Sequence, residues 1–551
     1  MKLSETFKKY IWEIVTFILF CVSTITLSFF HEPWFDEFQA WGIAKDSIYN
    51  ILFVIPHYES HPPLWHLIIK FFQQFTTNPE LAIKIPNLMI MFTAVWLLIF
   101  KSPFPKKIRL VLPFTFFIFY QYTIVSRPYC LLVLGMFLAA VLYKSKNDHP
   151  FRFISSLILL SLSSAYGVVL ATGITLAWVV EIWNRQNLKV FLLDFLKDKR
   201  FFAMLILFFV CLGITIHCIP YNDSHINSCL TTIPLWQKII YFAFGLTADA
   251  TAFNIFNYNN SWSDSILTTS YIAGCLFGAC ILYLMVKIFQ RNGKISLFLL
   301  TFLPISIFFF MYIWPHHIGI LYITFIFLIW CLYATTNFAH ETIPNYTKVI
   351  LLFIFIIQVY WSCCSTYREV VRDYAFSRQV ANYIKENRLT RFKIISPWGE
   401  RIKIVNEKGE EYPIHFLTGT SYQVDGYKTE IHRNTERQWL AVMVNPYFGK
   451  NIFYTFNVDN PNILYNTHLP QTLEEGEKQF RKWEKLGKPD IVIGKVQVWN
   501  IWKDYFPEFI SIQNFKSGFV WKDVYSTNEI DVYVDASRLK ELNIVKTDNA
   551  Q

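Results

Sequence analysis

"FFHEPWFDEFQAWGIAKDS", Phe29 to Ser47, follows the first long apolar run of the chain and sets an Asp-Glu pair, Asp36 and Glu37, where that run ends. If the run crosses a membrane, two carboxylates stand at the bilayer edge, and desolvating charge there is costly enough to need a reason. Composition decides the first half of that question. The 551 residues are 54% hydrophobic, include 54 Phe and are only 16% charged, whereas a soluble domain is about a quarter charged. The apolar excess has to face lipid, so the chain reads as an integral membrane protein.

Spanning-length apolar runs recur near residues 10–30, 80–100, 109–125, 129–143, 152–165, 167–183, 201–219, 264–289, 295–314, 318–336 and 348–364. They predict about eleven membrane helices. The first run follows Lys8 and Lys9 with no small-residue cleavage site before His31, and reads as a retained anchor. Pro62 to Phe75 is too short and too polar to span and reads as a helix lying in the interface. The net charge of +10 collects in the loops 101–109, 144–152, 184–200 and 290–294. Every second loop is basic, which places these loops and the N-terminus in the cytoplasm. That pattern also accounts for the charge without nucleic acid. The ten cysteines lie mostly within apolar segments and show neither a disulfide framework nor a CxxC metal spacing.

The predicted fold is therefore an α-helical polytopic membrane domain over residues 1–367, followed by an extracytoplasmic α/β domain over 368–551. Within the latter, "VVRDYAFSRQVANYIKEN" reads as an amphipathic helix. "FKIIS", "WLAVMV", "DIVIG" and "EIDVYV" read as strands, and "LEEGEKQFRKWEKLG" as a charged helix closed by Gly487. On this topology the unusual polar residues sort to the outer side. They are Asp36 and Glu37, "YESHPPLWH" (Tyr58 to His66) in the first outer loop (31–79), "SRPY" (Ser126 to Tyr129), "AYG" (Ala165 to Gly167) and "WPHH" (Trp314 to His317). A carboxylate can take a proton from a hydroxyl. Arg and His can bind a leaving phosphate, and Trp34, Trp41, Tyr58 and Trp65 can stack on sugars or sit among headgroups. This set suits glycosyl transfer from a lipid-phosphate sugar. The bland readings are that Asp36 and Glu37 start a helix, where acidic residues are favoured, that Arg127 snorkels to the headgroups, and that His316 and His317 are interfacial.

"FDEFQAW", "YESHPPLWHLIIKFFQQFTTNPELAIKIPNLM", "SRPYCLLVL" and "HHIGILYI" together resemble the GT-C superfamily of integral-membrane glycosyltransferases, near the branch of protein O-mannosyltransferases and lipid A aminoarabinose transferases. The resemblance covers residues 10–190 and 295–335, and the C-terminal domain in outline. It implies a bacterial inner-membrane enzyme that moves a sugar, with inversion, from a polyprenyl-phosphate donor to an extracytoplasmic glycan, lipid or protein, with no cofactor and no required metal. Asp36 would be the catalytic base or orient the acceptor, and Glu37 would hold the loop or tune Asp36. Tyr58 and His61 match positions that contact the donor phosphate, although the aminoarabinose branch carries Lys where this chain has His61. Arg127 could supply the missing charge from the face of the sugar opposite Asp36, and Tyr129, His316 and His317 complete the donor-binding set.

Two other classes are open to such a chain. A transporter or flippase of lipid-linked sugars would favour midplane charges and internal repeats, and the apolar runs read as lacking ionisable residues. A membrane-anchored sensor would need neither the Asp-Glu pair nor so many spans.

Overall fold

In the computed structural model, residues 2–183, 187–220, 235–255, 269–340, 344–396, 404–406, 427–429, 439–466, 485–495 and 508–539 are described. The chain is mostly helical. Among the described residues seven helices are long and apolar enough to cross a membrane: Lys9–Phe30, Pro79–Lys101, Ala165–Trp183, Lys199–His217, Tyr271–Arg291, Pro315–Thr335 and Asn345–Val371. Tyr129–Ser145, Pro150–Ser161 and Ile295–Met311 are apolar but shorter. These helices fall in ten of the expected runs. The exception is 109–125, which breaks into a helix over Lys106–Val111, a 3-10 turn over Leu112–Phe114 and a π-turn over Phe117–Gln121. Pro113 removes a backbone donor there, and the wider turn lets Thr123 return its hydroxyl to the Ile118 carbonyl at 2.6 Å. Hydropathy registers the apolar content of this segment but not the break.

Short helices follow the first span. Phe35–Ala44 comes directly after it, and Leu64–Phe72 packs beside that helix, with Trp65, His66 and Ile69 buried. Lys70 donates to the carbonyls of Ala44 (3.2 Å) and Asp46 (2.7 Å), placing a cation where the Phe35–Ala44 helix leaves its last carbonyls unpaired. Asn78 caps the next span through the amides of Glu80 and Leu81, with Pro79 at its first position.

The C-terminal part carries a mixed four-stranded sheet in the order β1 (Ile394–Ile395), β4 (Ile491–Lys495), β6 (Val524–Asp535) and β5 (Phe509–Trp521). β1 and β4 are parallel and the other pairs antiparallel, while β2 (Ile404–Asn406) and β3 (Tyr427–Thr429) form a separate two-stranded sheet. "DIVIG" and "EIDVYV" fall in β4 and β6. "WLAVMV" does not form the expected strand: Trp439–Val444 is a helix that packs against the Phe35–Ala44 and Ser377–Glu386 helices, with Leu440 to Val444 buried. A short apolar run with no polar alternation fits a buried helix turn as well as a strand. The amphipathic helix begins later than expected, at Ser377, because the last span runs on to Val371, past the 367/368 boundary. Most of "LEEGEKQFRKWEKLG" lies outside the described residues, and its last residue, Gly487, adopts φ +81°.

One hydrophobic core runs from the spans through Phe116, Trp361 and Trp521 into the sheet residues Ile491, Val532 and Val534. The hairpin joining β5 to β6 reaches into the helical part, where Lys522 is fully buried and bonded to Asp249. The long helices also carry buried titratable residues, contrary to the sequence reading. Glu13 pairs with Arg109, Lys84 with Glu80, and Glu369 with His31.

Candidate functional site

Asp36 and Glu37 occupy the first turn of the Phe35–Ala44 helix and point to different places. Asp36 is 27% exposed and forms an ion pair with Arg127. Glu37 is fully buried. Its carboxylate turns back to accept the Trp34 amide at 3.1 Å, as an acidic residue at the third helical position commonly does. The same carboxylate accepts the Ser126 amide at 2.7 Å and the His31 Nε2–H at 3.0 Å. The other ring nitrogen, Nδ1, donates to Glu369 at 3.0 Å, and Tyr120 donates its hydroxyl to the second Glu369 oxygen. Glu37 is thus part of the framework, and Asp36 is the carboxylate a ligand can reach.

Around the Asp36–Arg127 pair the chain gathers aromatic rings. The Arg127 guanidinium lies 5.9 Å from the centre of the Tyr129 ring. Tyr129 is 6.1 Å from His316 and 5.6 Å from His317, ring to ring. Trp34 meets His316 edge-on at 6.4 Å and Phe519 of β5 at 5.4 Å, so the C-terminal sheet supplies part of the wall. His317 is buried. Its Nδ1 accepts the Trp314 amide at 3.1 Å and lies 2.5 Å from the Tyr166 hydroxyl, which leaves the proton on Nε2. Gly319 begins the next helix so close to the π-turn that an added Cβ would clash with the Phe117 ring and lie 2.6 Å from the Tyr122 hydroxyl. A side chain there would need the Phe117 ring and the Tyr122 hydroxyl to give way.

His61 donates from Nδ1 to the Glu59 carbonyl at 2.6 Å, and its Nε2, like Trp34 Nε1, is a buried nitrogen with no hydrogen-bond partner among the described residues. His61 lies within electrostatic reach of His316 and His66. Burial pushes the imidazole of His66 down to about 4, so it stays neutral. Tyr58 is half-buried at the end of the Ile55–Glu59 helix. The structure thus brings Asp36, Arg127, Tyr129, His316 and His317 together, with His61 nearby, and turns Glu37 away. Asp36 and Arg127 are in direct contact rather than apart on opposite faces of an open site. Among the described residues no group of three or more His, Cys, Asp or Glu is arranged to hold a metal ion.

Sequence reasoning missed His31, Glu369 and Phe519. "HE" at the end of the first span was a signal for His31. Nothing in the local sequence points Glu369 or Phe519 toward it.

The buried His31 has a measurable consequence. Burial alone would lower its pKa, but the carboxylates of Glu37 and Glu369 outweigh that and hold it up at about 9. The group therefore stabilises the fold fully below its ordinary value of 6.5, and that contribution is lost as pH rises through about 9. We expect the melting temperature of the full chain in detergent to fall between pH 7 and pH 10, and His31→Gln to flatten that fall. Equal slopes for the two proteins would refute the assignment.

Seven long apolar helices suggest a multi-pass membrane protein. Compared with protein-family models, with curated proteins and with solved structures, the chain has no match.

Proposed function

We propose that this chain is a membrane glycosyltransferase that moves a sugar from a polyprenyl-phosphate donor to an extracytoplasmic glycan, lipid or protein. The observation that carries the reading is the Asp36–Arg127 pair, partly open to solvent and ringed by Trp34, Tyr129, His316 and Phe519. A donor phosphate would compete with Asp36 for the Arg127 guanidinium, which favours phosphate geometry. Engaging the phosphate then frees Asp36 to accept the proton of an acceptor hydroxyl. The hydroxyl oxygen bonds to the anomeric carbon as the bond from that carbon to the phosphate oxygen breaks. Polyprenyl phosphate leaves and the carbon inverts. Trp34 Nε1 has a hydrogen to donate to the sugar or phosphate, and His61 Nε2, with the ring proton on Nδ1, can accept from a sugar hydroxyl. A phosphate acceptor would need no base, and Asp36 would then only orient it.

The runner-up is a flippase of lipid-linked sugars, for which Glu13, Lys84 and Glu369 are the buried titratable residues on the long helices, though they lie near the helix ends and not at the midplane. One experiment separates the two. The full chain in vesicles is given a radiolabelled polyprenyl-phosphate sugar, with envelope material from cells lacking the gene as acceptor. A transferase yields labelled acceptor and free polyprenyl phosphate. A flippase moves the donor intact, and that outcome would overturn the proposal.

A further inference from the structure

Glu37 does more than start a helix. Its two oxygens tie together the two segments that carry the partly exposed ion pair: one accepts the amide of Trp34, two residues before Asp36, and the other that of Ser126, next to Arg127. The setting of one buried carboxylate therefore fixes the approach of Asp36 to Arg127. That setting depends in turn on His31, held between Glu37 and Glu369, and on Tyr120 beyond it. These four side chains come from the end of the first span, the loop helix, the π-turn and the last span. None is more than 2% exposed.

We propose that His31 and Glu369 are positioning residues that hold Glu37, and through it the Asp36–Arg127 pair, in working register; this rests on the reading of that pair as the reaction centre. The geometry calls for a group that donates at both ends. An imidazolium does so, placing an N–H toward each carboxylate at 3.0 Å. A neutral imidazole, or a glutamine amide, would turn a lone pair toward one of the two carboxylates and repel it. The other groups facing His31 do not replace that proton. Lys84 and Arg378 donate to its backbone carbonyl at 2.6 and 3.3 Å and are themselves held by Glu80. Tyr374 packs edge-on against the ring at 4.8 Å, and the Glu32 carboxyl is taken up by Ser377 and the Arg378 amide.

The test uses the full chain in detergent micelles and reads two things. Hydrogen exchange is followed in the peptides holding the Trp34 and Ser126 amides, which Glu37 accepts. Sugar transfer is followed against pH, with membranes carrying their own radiolabelled lipid-linked sugars as donor. In His31→Gln and Glu369→Gln both peptides should exchange faster together, and transfer should fall about tenfold to a hundredfold, as expected for small misplacement of reacting groups. In Glu369→Gln the alkaline limb of the transfer profile should also move toward neutral pH, because one of the two carboxylates that retain the proton is gone. A residue needed only for packing would not shift that limb. Tyr120→Phe keeps the ring and removes only the hydroxyl. It should give a smaller effect in the same direction, and it serves where the other variants fail to fold. Unchanged exchange at Trp34 and Ser126, or an unmoved alkaline limb, overturns the proposal. Full transfer by Asp36→Asn would instead overturn the reading of the reaction centre, and the exchange result would still say whether the four residues hold the two segments.

Discussion

Asp36→Asn should lower sugar transfer about a hundredfold or more, the usual cost of losing a general base, while the protein still folds and reaches the membrane. The substitution keeps the shape of the side chain and removes its charge. Asp36 is partly exposed and pairs with Arg127, itself 15% exposed. Asparagine keeps an acceptor oxygen against the Arg127 guanidinium, so the contact survives the loss of charge and the chain should still fold. Glu37 offers the contrast. It is fully buried and accepts hydrogen bonds from Trp34, Ser126 and His31. Replacing it should reduce expression and thermal stability along with activity, because three donors lose their acceptor in a dry site. The two neighbours thus separate in one assay: Asp36→Asn loses turnover with normal folding, and Glu37→Ala loses both. Normal transfer to a hydroxyl acceptor by Asp36→Asn would reduce the exposed carboxylate to a helix-start feature. Loss through Arg127 would look different. Arg127→Ala should weaken donor binding as well as turnover, since on this reading the guanidinium engages the phosphate before and during transfer.

That contrast was only partly legible in the sequence. "FDEFQAW" marked both carboxylates, but adjacency hid their opposite fates. On a helix successive side chains point about 100° apart, so one neighbour can face solvent while the next is buried. The apolar helices were legible because hydropathy integrates over twenty residues and tolerates local error. The run at 109–125 failed the same test, since a break by Pro113 and a π-turn leaves the average unchanged. The Trp439–Val444 helix was missed because a short apolar stretch carries no decisive period, and β5 because the register shift between Ser511 and Gln513 breaks its alternation. The His31–Glu369 contact joins residues 338 positions apart. Only the tertiary fold creates it, and one sequence contains no local trace of a pair that distant.

The largest expected effect on stability lies at the tip of the β5–β6 hairpin. Lys522 sits there at φ +49° and is fully buried. Its ammonium donates to the Asp249 carboxylate at 2.5 Å and the Asp249 carbonyl at 2.6 Å, and lies 4.3 Å from the centre of the Trp361 ring. Burial pulls its pKa down, and the Asp249 carboxylate opposes that and favours the charged form. Asp249 also accepts the Tyr241 hydroxyl at 3.1 Å. Lys522→Met preserves most of the stem and adds no backbone strain, because lysine already occupies the left-handed position without a glycine's freedom. It strands the Asp249 carboxylate in an apolar site, which costs about 3–5 kcal/mol when one partner of a buried pair is removed. The expected result is a sharp drop in melting temperature in detergent and poor recovery from membranes. Combining Lys522→Met with Asp249→Asn removes the stranded charge and should restore most of the loss, since the penalty comes from the unpaired ion more than from the missing attraction. A single variant as stable as the parent, or a double variant as damaged as the single, would show that the pair does not anchor the hairpin. The anchor matters to the site as well. The strand that ends at Trp521 carries Phe519, two residues back, against Trp34. Weakening the buried pair should therefore loosen the wall beside Asp36 and lower transfer in whatever fraction of the protein still folds.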